Sequence, residues 1–168
     1  MERLFALDQG FPQPLIDAAA PAFVGVELEP IWEIDRLLSQ LDDWQVLLAL
    51  HVHERPFDGL ISIDDSMLKQ PRELAVILQT NLTVIATEGA GHDPIKATGL
   101  LLTHLDWICK RTTSDEAQVW HLRAHRRDAI EPWELLAKAA RHRHVETNDL
   151  WAENRLTKSE LRRNPLRD

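Results

Sequence analysis

The chain has 168 residues, is 44% hydrophobic and 27% charged, and carries a formal charge of −8, which suits one soluble globular domain. No apolar run approaches the roughly 18 residues of a membrane span, and a single cysteine, Cys109, excludes an intrachain disulfide. The charge is uneven: residues 1–100 hold 16 acidic and 6 basic side chains and residues 101–168 hold 11 and 13, so the first half is unsuited to broad electrostatic capture of nucleic acid.

In chain order, the opening MERLFALDQGFPQP has no apolar h-region after a basic start, so no secretory leader is expected. Leu4–Leu7 reads as a buried strand that ends at Asp8 and a Gly/Pro loop. Pro14 suits the first turn of a helix reaching Ala20, and Phe23–Leu28 reads as a second strand closed by Glu29-Pro30. Asp35–Leu41 is loop or short helix. In LDDWQVLLALH, Asp42 or Asp43 can cap a mostly buried helix. Leu60–Ile63 is the third strand, ending on the doublet Asp64-Asp65. A helix opens at Gln70-Pro71, Leu82–Ala86 is the fourth strand, and the glycine loop Glu88–Gly91 follows. A longer helix starts at Asp93-Pro94. Further helices are expected around Asp115–Ala124 and Pro132–Arg141, and beyond His144 a polar, loosely held tail.

Strands thus alternate with helices over residues 4–110. That pattern predicts a three-layer α/β fold: a short, mostly parallel four-stranded sheet flanked by helices, with extra C-terminal helices. The expected divisions are an α/β domain over 1–111, a helical extension packed on it over 112–143, and the tail over 144–168. In such sheets ligands collect at the carboxyl ends of the strands, where strand order reverses. Asp8 and Asp64 both sit there if the first and third strands are neighbours.

Two carboxylates about 4 Å apart repel by roughly 4 kcal/mol at an effective dielectric near 20. Protons, basic partners or a divalent cation relieve this, and hard cations such as Mg²⁺ prefer oxygen ligands. Each acidic stretch also has a plainer reading. Asp8 suits a turn, Asp42 and Asp43 suit helix caps, and Asp64 and Asp65 suit a cap or an Asx-turn.

The ordered set FALDQGFPQPLIDA, LDDWQVLLALH and GLISIDDSML resembles the PIN-like domain superfamily, over about residues 3–110 and nearest its compact branch of VapC-type toxin ribonucleases. By that resemblance Asp8, Asp43 and Asp64 match the acidic positions that hold Mg²⁺ or Mn²⁺, with Asp65 as a candidate fourth ligand. Asp43 is preferred to Asp42 because Val46 and Leu47 then fall on the motif's apolar pair. Asp64 is preferred to Asp65 because Ser62 then takes the hydroxyl position two residues earlier. Ser62 replaces the usual threonine, and Gln9 stands where a second acid is frequent. The resemblance implies a cytoplasmic Mg²⁺-dependent endoribonuclease, with RNA as substrate, an antitoxin protein as partner and a homodimer as one assembly open to it. The alternative is a catalytically silent PIN-like binding or regulatory module.

Other motifs point less far. His51-Val-His53 reads as a helix end whose charge suits the dipole. His92 and Lys96 follow the glycine loop and are either capping residues or phosphate contacts, and His142-Arg-His144 is a basic helix end. Neither a GxxxxGK[ST] loop nor a serine nucleophile elbow is present. Cys109 lies in an apolar helical pattern as a core residue. The six tryptophans read as core or interface. The basic stretch Arg123–Arg127 or the tail is left to serve substrate or partner.

Overall fold

The computed structural model describes residues 3–90, 92–113 and 115–167. Six strands, β1 (Arg3–Leu7), β2 (Val26–Pro30), β3 (Gly59–Ser62), β4 (Thr83–Thr87), β5 (Gln118–Arg123) and β6 (Arg126–Ile130), form one sheet in the order β2-β1-β3-β4-β5-β6. The first five are parallel, and β6 returns antiparallel to β5. The helices are α1 (Gln13–Ala19), α2 (Ile31–Ile34), α3 (Asp43–His51), α4 (Pro71–Thr80), α5 (Pro94–Cys109), α6 (Pro132–Arg143) and α7 (Thr147–Asn154).

Alternation along the strands builds the layers, because successive side chains point to opposite faces. Leu4, Ala6, Leu60, Val84, Ala86 and Val119 join one buried cluster with residues of α3, α4, α6 and α7. Phe5, Leu7, Ile61, Ile85, Trp120 and Leu122 join the other with α1 and α5. The fold is therefore a three-layer α/β sandwich, as expected, but its sheet has six strands rather than four.

Of the two added strands, β5 comes from a segment expected as helix and β6 from the unassigned stretch that follows it. Asp115–Ala124 instead contains β5, which pairs with β4 from Thr83↔Gln118 to Thr87↔Leu122. Val119 and Trp120 are buried on opposite faces, a use of β-branched and aromatic side chains that a strand satisfies and a one-sided helix does not. The sheet consequently runs past the boundary expected at residue 111. The helix expected at Pro132–Arg141 is present as α6. Gly91, the end of the expected glycine loop, lies outside the described residues.

The β3 ladder needs its first residue to be glycine. A methyl group on Gly59 would lie 1.8 Å from the Thr83 carbonyl oxygen of β4. On the other side Asp58 N–H donates to Leu4 O at 2.8 Å, and the Asp58 carboxylate accepts from Leu4 N–H at 2.8 Å. The amino edges of β1 and β3 are thereby tied together.

The segment after His144 is not a loose tail. It forms α7, which buries Leu150, and then seats Leu156 at 3% exposure. The Gln79 side chain binds Leu156 on both sides, donating to its carbonyl at 2.9 Å and accepting from its N–H at 2.7 Å. Arg72 donates to Asn154 O at 2.8 Å. Few apolar residues are needed when each is docked on α4 by paired backbone bonds. Among the described residues, no helix is long and apolar enough to cross a membrane. Replacing Leu156 with Ala should cost about 2–5 kcal/mol in urea unfolding, the range for emptying a buried leucine site; a loss below about 1 kcal/mol would mean that the segment is not docked.

Candidate active site at the carboxyl edge of the sheet

Strand order reverses between β1 and β3, and the first two candidate aspartates stand there. Leu7 pairs with Ile61, so Asp8 comes next to Ser62. Period-two alternation assigns Asp8, Ser62 and Asp64 to the face shared by Leu4, Ala6 and Leu60, the face covered by α3 and α4. Asp43 is the first residue of α3 on that same face. Three separate segments thus deliver Asp8, Asp43 and Asp64 to one corner.

Ser62 is 4% exposed and donates through Oγ to Asp8 Oδ2 at 3.2 Å. Gln9 N–H donates to Asp8 Oδ1 at 2.7 Å, and Ser66 N–H donates to Asp64 Oδ1 at 2.8 Å. Asp42 N–H donates to Gln45 Oε1 at 3.1 Å as part of a capping box, so the doublet is divided between cap and first helical residue.

The three carboxylates feel one another. Burial holds Asp8 above the ordinary carboxylate range, and the charge of Asp64 adds to this against the hydrogen bonds from Gln9 and Ser62. Asp43 is raised first by burial and then by the charges of Asp8, Asp64 and Asp42. None of the three has an ion-pair partner among the described residues. Their donors are hard oxygens, the chemistry Mg²⁺ or Mn²⁺ prefers. Their arrangement is more open than a metal centre: among the described residues, no group of three or more His, Cys, Asp or Glu is placed to hold a metal ion.

Asp65 stands apart from this cluster. Its Oδ1 accepts from Lys69 Nζ at 2.8 Å, and its charge is not among those acting on Asp8 or Asp43. Glu73, in the first turn of α4, is the acid that sequence reading missed. Burial raises it first, with Asp43 and Asp42 adding. An acid three residues into a proline-led helix has an ordinary dipole role, so only the packing of α4 beside α3 exposes its link to the cluster. Beyond β4, Glu88 pairs with Arg123 and approaches His121 Nδ1 at 3.9 Å.

The remaining candidates take the plainer readings. His51 ends α3. Lys96 donates to Gly89 O at 3.0 Å, while Asp93 Oδ1 caps α5 by accepting from Lys96 N–H at 2.9 Å. Burial pushes the Cys109 thiol up to about 11, which leaves it protonated and unreactive at neutral pH. Arg123 and Arg126 both pair with Asp128, and Arg127 stacks on Trp107 with its guanidinium carbon 3.7 Å from the ring centroid. The basic stretch of the β5–β6 hairpin is therefore already engaged within the fold.

Compared with family models, curated proteins and solved structures, the chain has no significant match.

The raised carboxylates set a pH dependence. Between the unfolded value of 3.8 and its higher native midpoint, Asp8 keeps its proton only in the folded state. Its contribution to stability is full below 3.8 and is lost as pH rises through the native midpoint, so ionised Asp8 weakens the fold at neutral pH. Asp8→Asn should raise Tm at pH 7 by about 2–4 °C, equivalent to roughly 1 kcal/mol. The gap from wild type should close below about pH 4. Thermal melts from acid to neutral pH check this, and an Asn variant less stable than wild type at pH 7 would contradict it.

Proposed function

We propose that this chain is a metal-dependent ribonuclease of PIN-like type, acting in the cytoplasm on RNA phosphodiester bonds as the toxin of a toxin–antitoxin pair. The observation that carries the reading is the corner itself. Asp8, Asp43 and Asp64 arrive from three segments at the point where strand order reverses, without a cationic side chain to neutralise them.

In this reading Asp8, Asp43 and Asp64 would hold Mg²⁺ or Mn²⁺, with Asp65 at the edge. The bound ion would supply Lewis-acid activation of water and neutralise charge at the leaving oxygen. Ser62 and the Gln9 N–H hold the Asp8 carboxylate in place. Burial raises Asp8 above the ordinary carboxylate range, which makes it a stronger base than an exposed aspartate. The α3 N-terminus carries Asp43 to the same corner. RNA is the expected substrate; an antitoxin protein and a second copy of the chain are the expected partners.

A second reading, a catalytically silent PIN-like binding module, is favoured by one observation: the acidic groups are not arranged as a metal centre among the described residues. The two readings separate on metal and on cleavage. A site that binds the ion stabilises the native state by RT ln(1 + [L]/Kd), about 2.7 kcal/mol at one hundred times Kd. Millimolar Mn²⁺ should therefore raise the Tm of wild type and leave that of Asp8→Asn unmoved. RNA cleavage should fall at least about 100-fold in Asp8→Asn, Asp43→Asn and Asp64→Asn. Absence of metal-dependent cleavage by wild type, or Asn variants that cut at its rate, would hand the chain to the silent-module reading.

A further inference from the structure

Next to the aspartate corner lies a cavity of about 320 Å³ between the turn Ser66–Lys69, β5 and α6. Its walls combine apolar and basic side chains with one carboxylate, Asp65, which Lys69 neutralises. Leu68 and Ala139 are apolar and buried, at 4% and 6% exposure. Lys138, His142 and Arg143 bring basic side chains from α6.

These three basic residues have no carboxylate partner among the described residues, although the chain carries a net charge of −8. Lys69, which also reaches the cavity, is by contrast already matched by Asp65 at 2.8 Å. Lys138 and His142 are four residues apart on α6, a spacing that places them on one helix face. The helix dipole explains basic residues in the last turn, so it accounts for His142 and Arg143. It does not account for Lys138, which lies a turn earlier, nor for a cavity beneath all three. A further sign comes from β5. His121 lines the same cavity, and its Nε2 is buried with no hydrogen-bond partner. Buried polar nitrogens are nearly always satisfied, so this one is open to a water or a ligand atom.

Small-ligand sites combine apolar walls with a few polar groups, in clefts of about 300–1,000 Å³. The lining here suits an organic anion: a charged head on α6 and a flat or aliphatic body against Leu68 and Ala139. We propose that this cavity binds a 5′-phosphorylated nucleotide unit, with its phosphate held by Lys138, His142 and Arg143 and its sugar and base against the apolar wall. The phosphate chemistry is read from the cavity; the choice of a nucleotide rests on the ribonuclease reading of the adjoining aspartates. One chemistry has two sources, a free mononucleotide or the 5′-phosphorylated end of an RNA strand.

Isothermal titration of the full chain with AMP, in metal-free buffer lacking phosphate, tests the site. AMP should bind saturably and adenosine at least about tenfold more weakly, a difference of about 1.4 kcal/mol. Lys138→Glu should weaken AMP about tenfold or more with Tm unchanged, since Lys138 is exposed. His142→Ala should weaken it in the same direction. A hexaribonucleotide with a 5′-phosphate that displaces AMP, where its 5′-hydroxyl counterpart does not, supports the site and names the strand end as source. AMP binding that neither oligonucleotide displaces also supports it, and names the free mononucleotide. Adenosine binding as tightly as AMP, no saturation by about 5 mM AMP, or a Lys138→Glu variant that binds like wild type would overturn the proposal. Asp8→Asn should retain AMP binding, so loss of the nuclease reading and loss of this site are separately visible.

Discussion

The parallel pairing of β1 with β3 is the contact on which the rest of this molecule depends. Phe5, Ala6 and Leu7 lie opposite Gly59, Leu60 and Ile61, and that register brings Asp8 beside Ser62. Slipping one residue would move every side chain of a strand to the opposite face. Here it would send Leu4 and Ala6 away from α3 and separate Asp8 from the corner that Asp43 occupies. Gly59 permits the close approach to β4, and Asp58 ties the starts of β1 and β3. The hydrophobic layers and the acidic corner are two results of one register.

The two edges of the sheet handle charge in opposite ways. At the amino edge, Asp58 is matched by Arg3 at 3.1 Å and by a backbone N–H. On the outer strand β2, Glu27 and Glu29 share Arg55. At the carboxyl edge, Asp8, Asp43 and Asp64 stand together without a cationic partner among the described residues, and burial and mutual repulsion raise the first two above the ordinary range. Burial together with mutual repulsion is what separates this corner from a solvated acidic surface. Perturbed carboxylates in a cleft are associated with function, although structural networks produce them too.

Neighbouring groups on the same edge carry the opposite sign. Past Asp65 and its Lys69 partner, the α6 side of the edge presents Lys138, His142 and Arg143 around an apolar-walled cavity. An acidic corner beside a basic cavity sets charge of opposite sign along one edge of the sheet.

Much of this was legible in the chain before folding. Short apolar runs bounded by Gly, Pro and Asp marked β1, β3 and β4, since buried parallel strands need continuous apolar residues. The prolines at 71, 94 and 132 marked helix starts, because the first turn has no use for the missing N–H. The ends of the strands marked Asp8 and Asp64. What the sequence could not contain was decided by distant partners. The window Gln118–Arg123 became a strand because the edge of β4 was free to pair with it. Residues 147–156 became ordered because Gln79 and Arg72, more than 70 positions away, supplied their backbone bonds. Glu73 joined the acidic group through the packing of α4 beside α3, and Arg111 and Arg127 came to stack on Trp107 through a similar convergence. Local periodicity thus determined most of the elements of the first hundred residues and the aspartates at their ends, because it is written in neighbouring residues; the later strands, and which charges meet, were decided only by the tertiary structure, because those energies belong to pairs far apart in the chain.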